Sequence, residues 1–224
     1  MALRPWLARS PLAPRVAPFI LFLLLTAGQG RFGPASAYWF YLAKTLVGLW
    51  LLVEIRPLVP EMRWAFSWEA CAVGLGVLAM WIGLDPFYPK LGGANRVLEN
   101  ANPNLVFGPH SPLALFFLAV HLLGMTFVVP PLEEVFYRSF LYRFLAKPNF
   151  LEVPLNRFLP FPFFATAVVF GFEHSQWLAG VLCGLAYQAL VLRKNRLGDA
   201  MTAHAITNFL LGAWVIWRGA WNFW

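Results

Sequence analysis

The sequence predicts an all-α protein, a polytopic transmembrane helical bundle of about 7–8 helices that forms a single domain over residues 1–224. Of its 224 residues, 60% are hydrophobic and only 12% are charged, about half the charged fraction of a typical soluble domain. The chain holds 11 Trp and 22 Phe residues, and its mean hydropathy is +0.63. Apolar runs that suit a bilayer recur along its whole length. Lipid is therefore expected to be the solvent for most of its surface.

Seven apolar runs are candidates for membrane helices, because backbone groups cannot stay unpaired in lipid. The runs are 15–30, 38–54, 67–84, 112–132, 159–176, 177–192 and 199–218. Several are short for the roughly 20 residues that cross the hydrocarbon core, and we expect the fifth to be short or re-entrant beside a water-filled cavity. The first follows three arginines and precedes a small-residue run, which is typical of a signal peptide. We expect residues 16–27 to be retained as a helix.

Charge distribution predicts how the bundle lies in the membrane. Basic residues cluster between apolar runs, and alternation of the spans places segments 55–66, 138–158 and 193–198 on the same side as the N-terminus. Cytoplasmic loops retain Lys and Arg, so the N-terminus of this multi-pass cell (inner) membrane protein is predicted to be cytoplasmic. Short clusters of this kind indicate a lipid bilayer, not nucleic acid, as the partner of the +7 net charge.

The longest connection between two predicted spans runs from Asp85 to Ser111. It is rich in residues that favour turns, among them Gly92, Gly93, Asn95 and Asn100. Each of these residue types favours turns for its own physical reason, so the segment is predicted to be an extramembrane loop.

Polar side chains interrupt three of the apolar runs, and ionisable groups inside a span usually mark a functional site because they cost several kcal/mol. These side chains are Glu133, Glu134 and Arg138 around the fourth span, His174 in the fifth, and His204 and Asn208 in the seventh. Phe170 precedes His174 by one helical turn, and its ring could fix the imidazole. Residues four apart lie on one helical face. Glu133 is rotated about 100° from Glu134, so it can point elsewhere while its neighbour pairs with Arg138.

These residue types suit peptide hydrolysis, which needs a base, a proton donor for the leaving amine and donors for the oxyanion. A partly desolvated carboxylate such as Glu133 is an effective base, and together with His174 it could hold and deprotonate a water molecule. His204 and Asn208 could direct N–H groups at the oxyanion, while the acid–arginine pair anchors the geometry. Sharing one water requires that Glu133 and His174 lie within about 10 Å of each other.

The remaining polar residues favour structural interpretations. His121 in the fourth span is expected to form an interhelical hydrogen bond, Glu173 to face a polar boundary near the end of the fifth helix, and His110 to be solvated in a loop. Cys71 and Cys183 lie in apolar runs, and without CxxC spacing they predict neither a disulfide framework nor a zinc site.

In their order along the chain, the three motifs resemble those of the CAAX prenyl protease and bacteriocin-processing family of glutamate-type intramembrane proteases. The matching patterns are Glu133-Glu134-x-x-x-Arg138, Phe170-x-x-x-His174 and His204-x-x-x-Asn208. The resemblance covers about 112–217, the expected catalytic core, and leaves 1–111 as additional transmembrane helices and a loop.

This resemblance implies an endopeptidase that needs neither a metal nor a cofactor, with a cavity that opens to the cytoplasmic side. In the family, the first glutamate and the FxxxH histidine activate water, here Glu133 and His174, while the last histidine and asparagine stabilise the oxyanion, here His204 and Asn208. The implied partner is a membrane-associated or secreted protein or peptide substrate, for which a lipid group or a C-terminal anchor is one option.

Two other classes of protein stay open at this point. Glu and His are also zinc ligands, so a zinc-dependent membrane protease is one alternative, although the sequence has no HExxH helix. The other is a non-enzymatic membrane scaffold, a bacteriocin-immunity type protein or a transporter. Many transporters have repeated halves, and no such halves are visible in this sequence.

Overall fold

The computed structural model describes residues 3–91 and 102–224, and all regular secondary structure within these ranges is helical. The α-helices are α1 (Leu3–Leu7), α2 (Ala13–Ala27), α3 (Pro34–Ile55), α4 (Trp68–Leu84), α5 (Pro103–Phe107), α6 (Pro112–Phe127), α7 (Val129–Glu134), α8 (Tyr142–Ala146), α9 (Pro160–Phe172), α10 (Trp177–Lys194) and α11 (Gly198–Arg218). A π-helical segment, Val135–Leu141, joins α7 to α8. The predicted all-α fold class is confirmed.

Among the described residues, four helical stretches are long and apolar enough to cross a bilayer: Pro34–Ile55, Trp68–Phe87, Pro112–Ala146 and Gly198–Arg218. Helices α2 and α9 are apolar but shorter. At 1.5 Å per residue, the 13 residues of α9 rise only about 20 Å, which is less than the roughly 30 Å of a hydrocarbon core. The architecture is that of a helical membrane bundle.

The predicted fourth span, 112–132, is wrong at its C-terminal end. Helices α6 to α8 and the π segment form one stretch of 35 residues, Pro112–Ala146, so the helical backbone continues beyond both glutamates. Their charges suggested the end of a span. Inside the protein, however, Glu134 is neutralised by Arg138, and no proline or glycine follows before Pro148. Glu133 therefore lies in the interior of the stretch.

The connection from Asp85 to Ser111 is only partly non-helical. It begins with a 3₁₀ turn, Asp85–Phe87, and contains the short helix α5, which Asn102 caps by accepting a hydrogen bond from the backbone of Asn104. The predicted turn residues Gly92, Gly93, Asn95 and Asn100 lie outside the described residues.

The helix ends gather at two opposite ends of the bundle. What we call the basic end holds the connections 56–67, 147–159 and 195–197, and the far end holds 28–33, the described parts of 85–111, 173–176 and 219–224. Contacts at the helix ends and between connections support this grouping. At the basic end, Lys194 Nζ lies 3.2 Å from Glu69 Oε1, and at the far end the backbone N–H of Leu91 donates to the carbonyl of Ser175 over 3.0 Å.

A buried ionic cluster at the basic end ties α2 to the π segment and α8. Arg15 and Arg143 both donate to Oε1 of Glu61, over 2.7 and 2.9 Å, and the hydroxyl of Ser139 donates to the same oxygen. Burial acts to raise the pKa of Glu61, but the hydrogen bond from Ser139 and the charge of Arg15 outweigh it and hold this pKa below its usual value of 4.5.

Helices α9 and α10 pack closely at Gly171. A Cβ atom there would lie 2.6 Å from the backbone nitrogen of Val181 and 2.7 Å from the carbonyl oxygen of Trp177. Backbone atoms cannot move aside as a flexible side chain can, so Gly171→Ala should push the two helices apart. We expect a loss of about 1–3 kcal/mol, the usual cost of overpacking, and a displaced His174.

Thermal unfolding in detergent measures this loss. Gly76→Ala in α4 is the matched control, because no atom lies within 4 Å of the added Cβ atom and alanine favours helix over glycine. Equal melting temperatures for the two variants would contradict the role given to Gly171.

Candidate active site

The two glutamates lie where the helical geometry changes twice. Helix α6 ends at Phe127, and Pro130 and Pro131 occupy the start of α7, where the missing N–H of a proline is tolerated. Glu133 and Glu134 end α7, and the π segment begins at the next residue. Their exposed fractions are only 7% and 0%. Short π-helical segments inside α-helices are frequent at functional sites.

The second glutamate holds two partners in the protein interior. Glu134 Oε2 lies 3.2 Å from Arg138 Nε, and both side chains are fully buried. Its other oxygen, Oε1, lies 3.0 Å from Nδ1 of His204. The ring of Phe170 lies 4.6 Å from the guanidinium of Arg138. Together these contacts hold a carboxylate, a guanidinium and an imidazole in one buried row.

The tautomer of His204 follows from its neighbour. An ionised carboxylate only accepts hydrogen bonds, so Nδ1 of His204 carries a hydrogen and donates it in the hydrogen bond to Glu134. The remaining nitrogen, Nε2, lies 3.9 Å from Oε2 of Glu133, too far for a direct hydrogen bond. The ring of Tyr187 stacks on the imidazole, with 5.1 Å between centroids. His204 is thereby fixed with Nε2 directed at the first glutamate.

His174 is oriented by the last turn of α9. Its Nδ1 lies 2.8 Å from the backbone carbonyl of Phe170, and a carbonyl accepts only, so Nδ1 is protonated and the neutral ring has Nε2 as an acceptor. The Phe170 ring lies 4.9 Å from the imidazole, and Trp81 approaches it edge-on at 5.4 Å. Phe170 thus holds His174 by its carbonyl as well as by its ring.

Asn208 lies one turn after His204 on α11. Its Nδ2 donates to the backbone carbonyl of Met125 over 2.8 Å, in the helical turn just before the break between α6 and α7. An asparagine amide has two N–H groups, so one remains available to a ligand. The contact with Met125 fixes the direction of that second N–H.

One cavity of about 690 Å³ joins the predicted residues. Its walls include Glu133, Phe170, His174, His204 and Asn208. The buried pair of Glu134 and Arg138 lies behind this wall, where Glu134 contacts His204 and Arg138 contacts the ring of Phe170. The structure therefore brings all seven predicted site residues into one region and separates five that face the cavity from two that support them.

The polar residues with structural interpretations have mixed outcomes. The ring of His121 stacks on Tyr41 with 3.9 Å between centroids and lies tilted against Trp224 at 4.0 Å. Within the described part of the chain these ring contacts hold it, and the expected interhelical hydrogen bond of its side chain is not found. Glu173 lies at the end of α9 and lines the cavity, where the hydroxyl of Tyr137 donates to it over 2.5 Å. His110 is exposed in its loop.

Lys44 is a cavity neighbour that the sequence reasoning missed. The residue is only 6% exposed, and its Nζ donates to Thr26 Oγ1 over 3.1 Å and to Gln29 Oε1 over 3.2 Å. It also lies 4.5 Å from the ring centroid of Tyr41, and Thr26 lines the cavity. A lysine inside the apolar run 38–54 was the signal that would have found it.

Comparison with known proteins identifies one segment of the chain. Residues 115–210 match the family model described as type II CAAX prenyl endopeptidase, Rce1-like. This range contains every motif residue of the candidate site, and it confirms the resemblance drawn from those motifs. No curated protein and no solved structure matches the chain significantly.

Proposed function

We propose that this chain, in which residues 115–210 match the Rce1-like CAAX prenyl endopeptidase model, is a membrane protease of the glutamate type. It cleaves membrane-associated or secreted polypeptides with a water molecule activated by Glu133 and His174. The observation that carries the proposal is the buried row Arg138–Glu134–His204, which ends with Nε2 of His204 beside Glu133 on the wall of one cavity.

Water activation uses the acceptors that the site leaves unpaired. Oε2 of Glu133 is buried and has no hydrogen-bond partner among the described residues, and Nε2 of His174 is the acceptor nitrogen of its ring. A water donating one hydrogen to each would point its lone pairs at the scissile carbonyl. Glu133 then removes the proton as the oxygen attacks, and passes it to the leaving amine.

Oxyanion stabilisation falls to His204 and the free N–H of Asn208. Because Nδ1 of His204 donates to Glu134, Nε2 donates only when the ring carries a positive charge. That charge is matched locally, because once Glu133 has taken the proton of the water, the carboxylate of Glu134 and the oxyanion balance the guanidinium of Arg138 and the imidazolium. Charged donors in a site shielded from water stabilise an oxyanion more than donors in bulk water do.

The test compares membrane proteomes of cells that carry the native chain or Glu133→Gln, which keeps the side-chain shape but removes the base. We expect uncleaved precursors to accumulate with Glu133→Gln and not with Glu69→Gln, a control at the basic end. Identical proteomes would leave a non-enzymatic scaffold as the better description. Loss of cleavage by the native protein on treatment with a chelator would favour the zinc-dependent alternative.

A further inference from the structure

We propose that Glu173 binds a positively charged side chain of the substrate, so that the cavity accepts polypeptides with a Lys or Arg residue beside the scissile bond. The inference rests on the proposed proteolytic function for the cleavage itself. The binding of the cation rests on the position, contacts and charge of Glu173, and it can be measured without catalysis.

Glu173 lies on the cavity wall beside the residues proposed to activate water. It follows the last residue of α9 and directly precedes His174. The residue is exposed and lines the cavity, whereas Glu133 on the same wall is only 7% exposed. Of these two carboxylates, Glu173 is therefore the more accessible to a ligand.

Tyr137 holds one oxygen of Glu173 and leaves the other free. The tyrosine is 2% exposed, and its ring is fixed by Phe19 and Phe170, which approach it edge-on at 5.4 and 5.1 Å. Its hydroxyl donates to Oε2 of Glu173 over 2.5 Å, while Oε1 has no hydrogen-bond partner among the described residues. Because the carboxylate is already held in place, it loses little conformational freedom when a ligand binds to Oε1.

The charges of the cavity wall leave Glu173 without a counter-ion. The described wall carries four side chains of Asp, Glu, Lys or Arg: Asp85, Lys90, Glu133 and Glu173. Nζ of Lys90 lies 3.2 Å from Oδ1 of Asp85, so the cation on this part of the wall is already paired. Within residues 3–91 and 102–224, no ion pair is formed by Glu173.

The cations behind the wall do not neutralise Glu173 either. Arg138 is paired with Glu134, with 3.2 Å between Nε and Oε2, and Lys44 donates to two uncharged side chains. With these neighbours included, the described charges around the cavity are four carboxylates and three cations: Asp85, Glu133, Glu134, Glu173, Lys44, Lys90 and Arg138. One positive charge from a ligand would balance them, and a cavity with an excess of one charge attracts ligands of the opposite charge.

The surface beside Glu173 suits a long basic side chain. Trp81 and Phe170 line the cavity, and their rings lie 5.4 and 4.9 Å from the ring of His174, the next residue after Glu173. Lys and Arg side chains lay their apolar stems along apolar surface and keep the charged end at a polar group. An aromatic wall with a carboxylate beside it offers both.

The position of Glu173 next to His174 limits how far the basic residue can lie from the scissile bond. The Cα atoms of consecutive residues are about 3.8 Å apart, and His174 is proposed to hold the attacking water. Three residues of an extended substrate span about 10 Å, so the basic residue should lie within about three positions of that bond. Glu173 occupies an unspecified position of the Phe170-x-x-x-His174 pattern, so this preference is expected of this chain and not of the pattern.

Peptide binding to an inactive variant tests the proposal. The probes are fluorescein-labelled peptides of about 20 Ala and Leu residues, long enough to cross a bilayer, with Lys, Ala or Glu at the central position. Purified Glu133→Gln protein in detergent is the background, because it should not cleave them. By fluorescence anisotropy we expect it to bind the lysine peptide about tenfold more tightly than the alanine peptide, the gain typical of a hydrogen bond to a charged group.

Glu173 is then changed in the same background. Adding Glu173→Gln keeps the side-chain shape but removes the charge, so the affinities for the lysine and alanine peptides should differ by less than about twofold. Adding Glu173→Arg should reverse the preference, with the glutamate peptide bound more tightly than the lysine peptide. Adding Glu69→Gln is the matched control, because Glu69 lies at the basic end and does not line the cavity, and it should keep the preference for lysine.

Equal affinities for the lysine and alanine peptides in the Glu133→Gln protein, no binding of either, or a preference that survives Glu173→Gln would overturn the proposal. Binding does not depend on catalysis, so its failure is distinguishable from that of the proposed function. The expected preference, without cleavage of the lysine peptide by the native protein, would count against proteolysis and keep the cation site. Cleavage of both peptides, with equal affinities, would keep proteolysis and remove the role given to Glu173.

Discussion

Purified protein carrying Glu133→Gln is expected to cleave its substrate about 10²- to 10⁴-fold more slowly than the native protein, the range typical of a lost general base. Glutamine keeps the shape of the side chain but cannot accept the proton of the attacking water at neutral pH. The surrounding donors stay in place, because Glu134 and not Glu133 holds Arg138 and His204. The fall should therefore appear in kcat, with little change in KM.

The stability of the Glu133→Gln variant should rise or stay unchanged while its activity falls. Glu133 is 7% exposed, and its Oε2 is buried without a hydrogen-bond partner among the described residues, so a neutral amide removes a desolvated charge. We expect the melting temperature of Glu133→Gln in detergent to equal or exceed that of the native protein. Glu69→Gln should retain the native rate. Activity of Glu133→Gln within threefold of the native value would exclude Glu133 as the base.

Arg138→Met should destabilise the protein by about 3–5 kcal/mol, as expected when one partner of a buried ion pair is removed. Arg138 is 1% exposed and Glu134 is 0% exposed, so the substitution leaves a carboxylate in the protein interior without its cation. Chemical unfolding in detergent measures the loss. Activity should fall as well, because Glu134 no longer has a fixed position from which to orient His204.

A double-mutant cycle separates the interaction energy between Glu134 and Arg138 from the interactions of each residue with its other neighbours. Removing both charges with Glu134→Leu and Arg138→Met leaves no uncompensated ion, so the double variant should be more stable than Arg138→Met alone by at least 1 kcal/mol. It should nevertheless remain inactive, since His204 has lost its acceptor. Additive destabilisation in the cycle would show that the two side chains do not depend on each other.

Much of the candidate site could be predicted because its parts recur at helical spacing. Glu134 and Arg138, Phe170 and His174, and His204 and Asn208 are each four residues apart, and each pair lies on one helix face. Their catalytic roles stay predictions. The charged residues Glu133 and Glu134 were interpreted as the end of the fourth span. Sequence alone does not show that Arg138, four residues after Glu134, is buried together with it.

Contacts between distant parts of the chain could not be predicted. Arg15 donates hydrogen bonds to Glu61, 46 residues away in the sequence, and to Ser139, 124 residues away. A pattern of spacing within one helix cannot predict such pairs. Likewise, the packing of His121 between the rings of Tyr41 and Trp224 depends on how the helices pack. A histidine in a span favours a hydrogen bond only when a polar partner faces it, and here both neighbours are aromatic rings.

The π-helical segment Val135–Leu141 determines how the residues after it are rotated about the helix axis relative to the residues before it in the longest helical stretch. Its hydrogen bonds close over five residues and not four, so it holds an extra residue compared with an uninterrupted α-helix. Deleting that extra residue would let the segment close as a regular α-helix, with Glu133 and Arg143 still on their present faces. Alignments of related chains should accordingly place single-residue gaps in this segment, where a gap does not change the direction of the flanking residues.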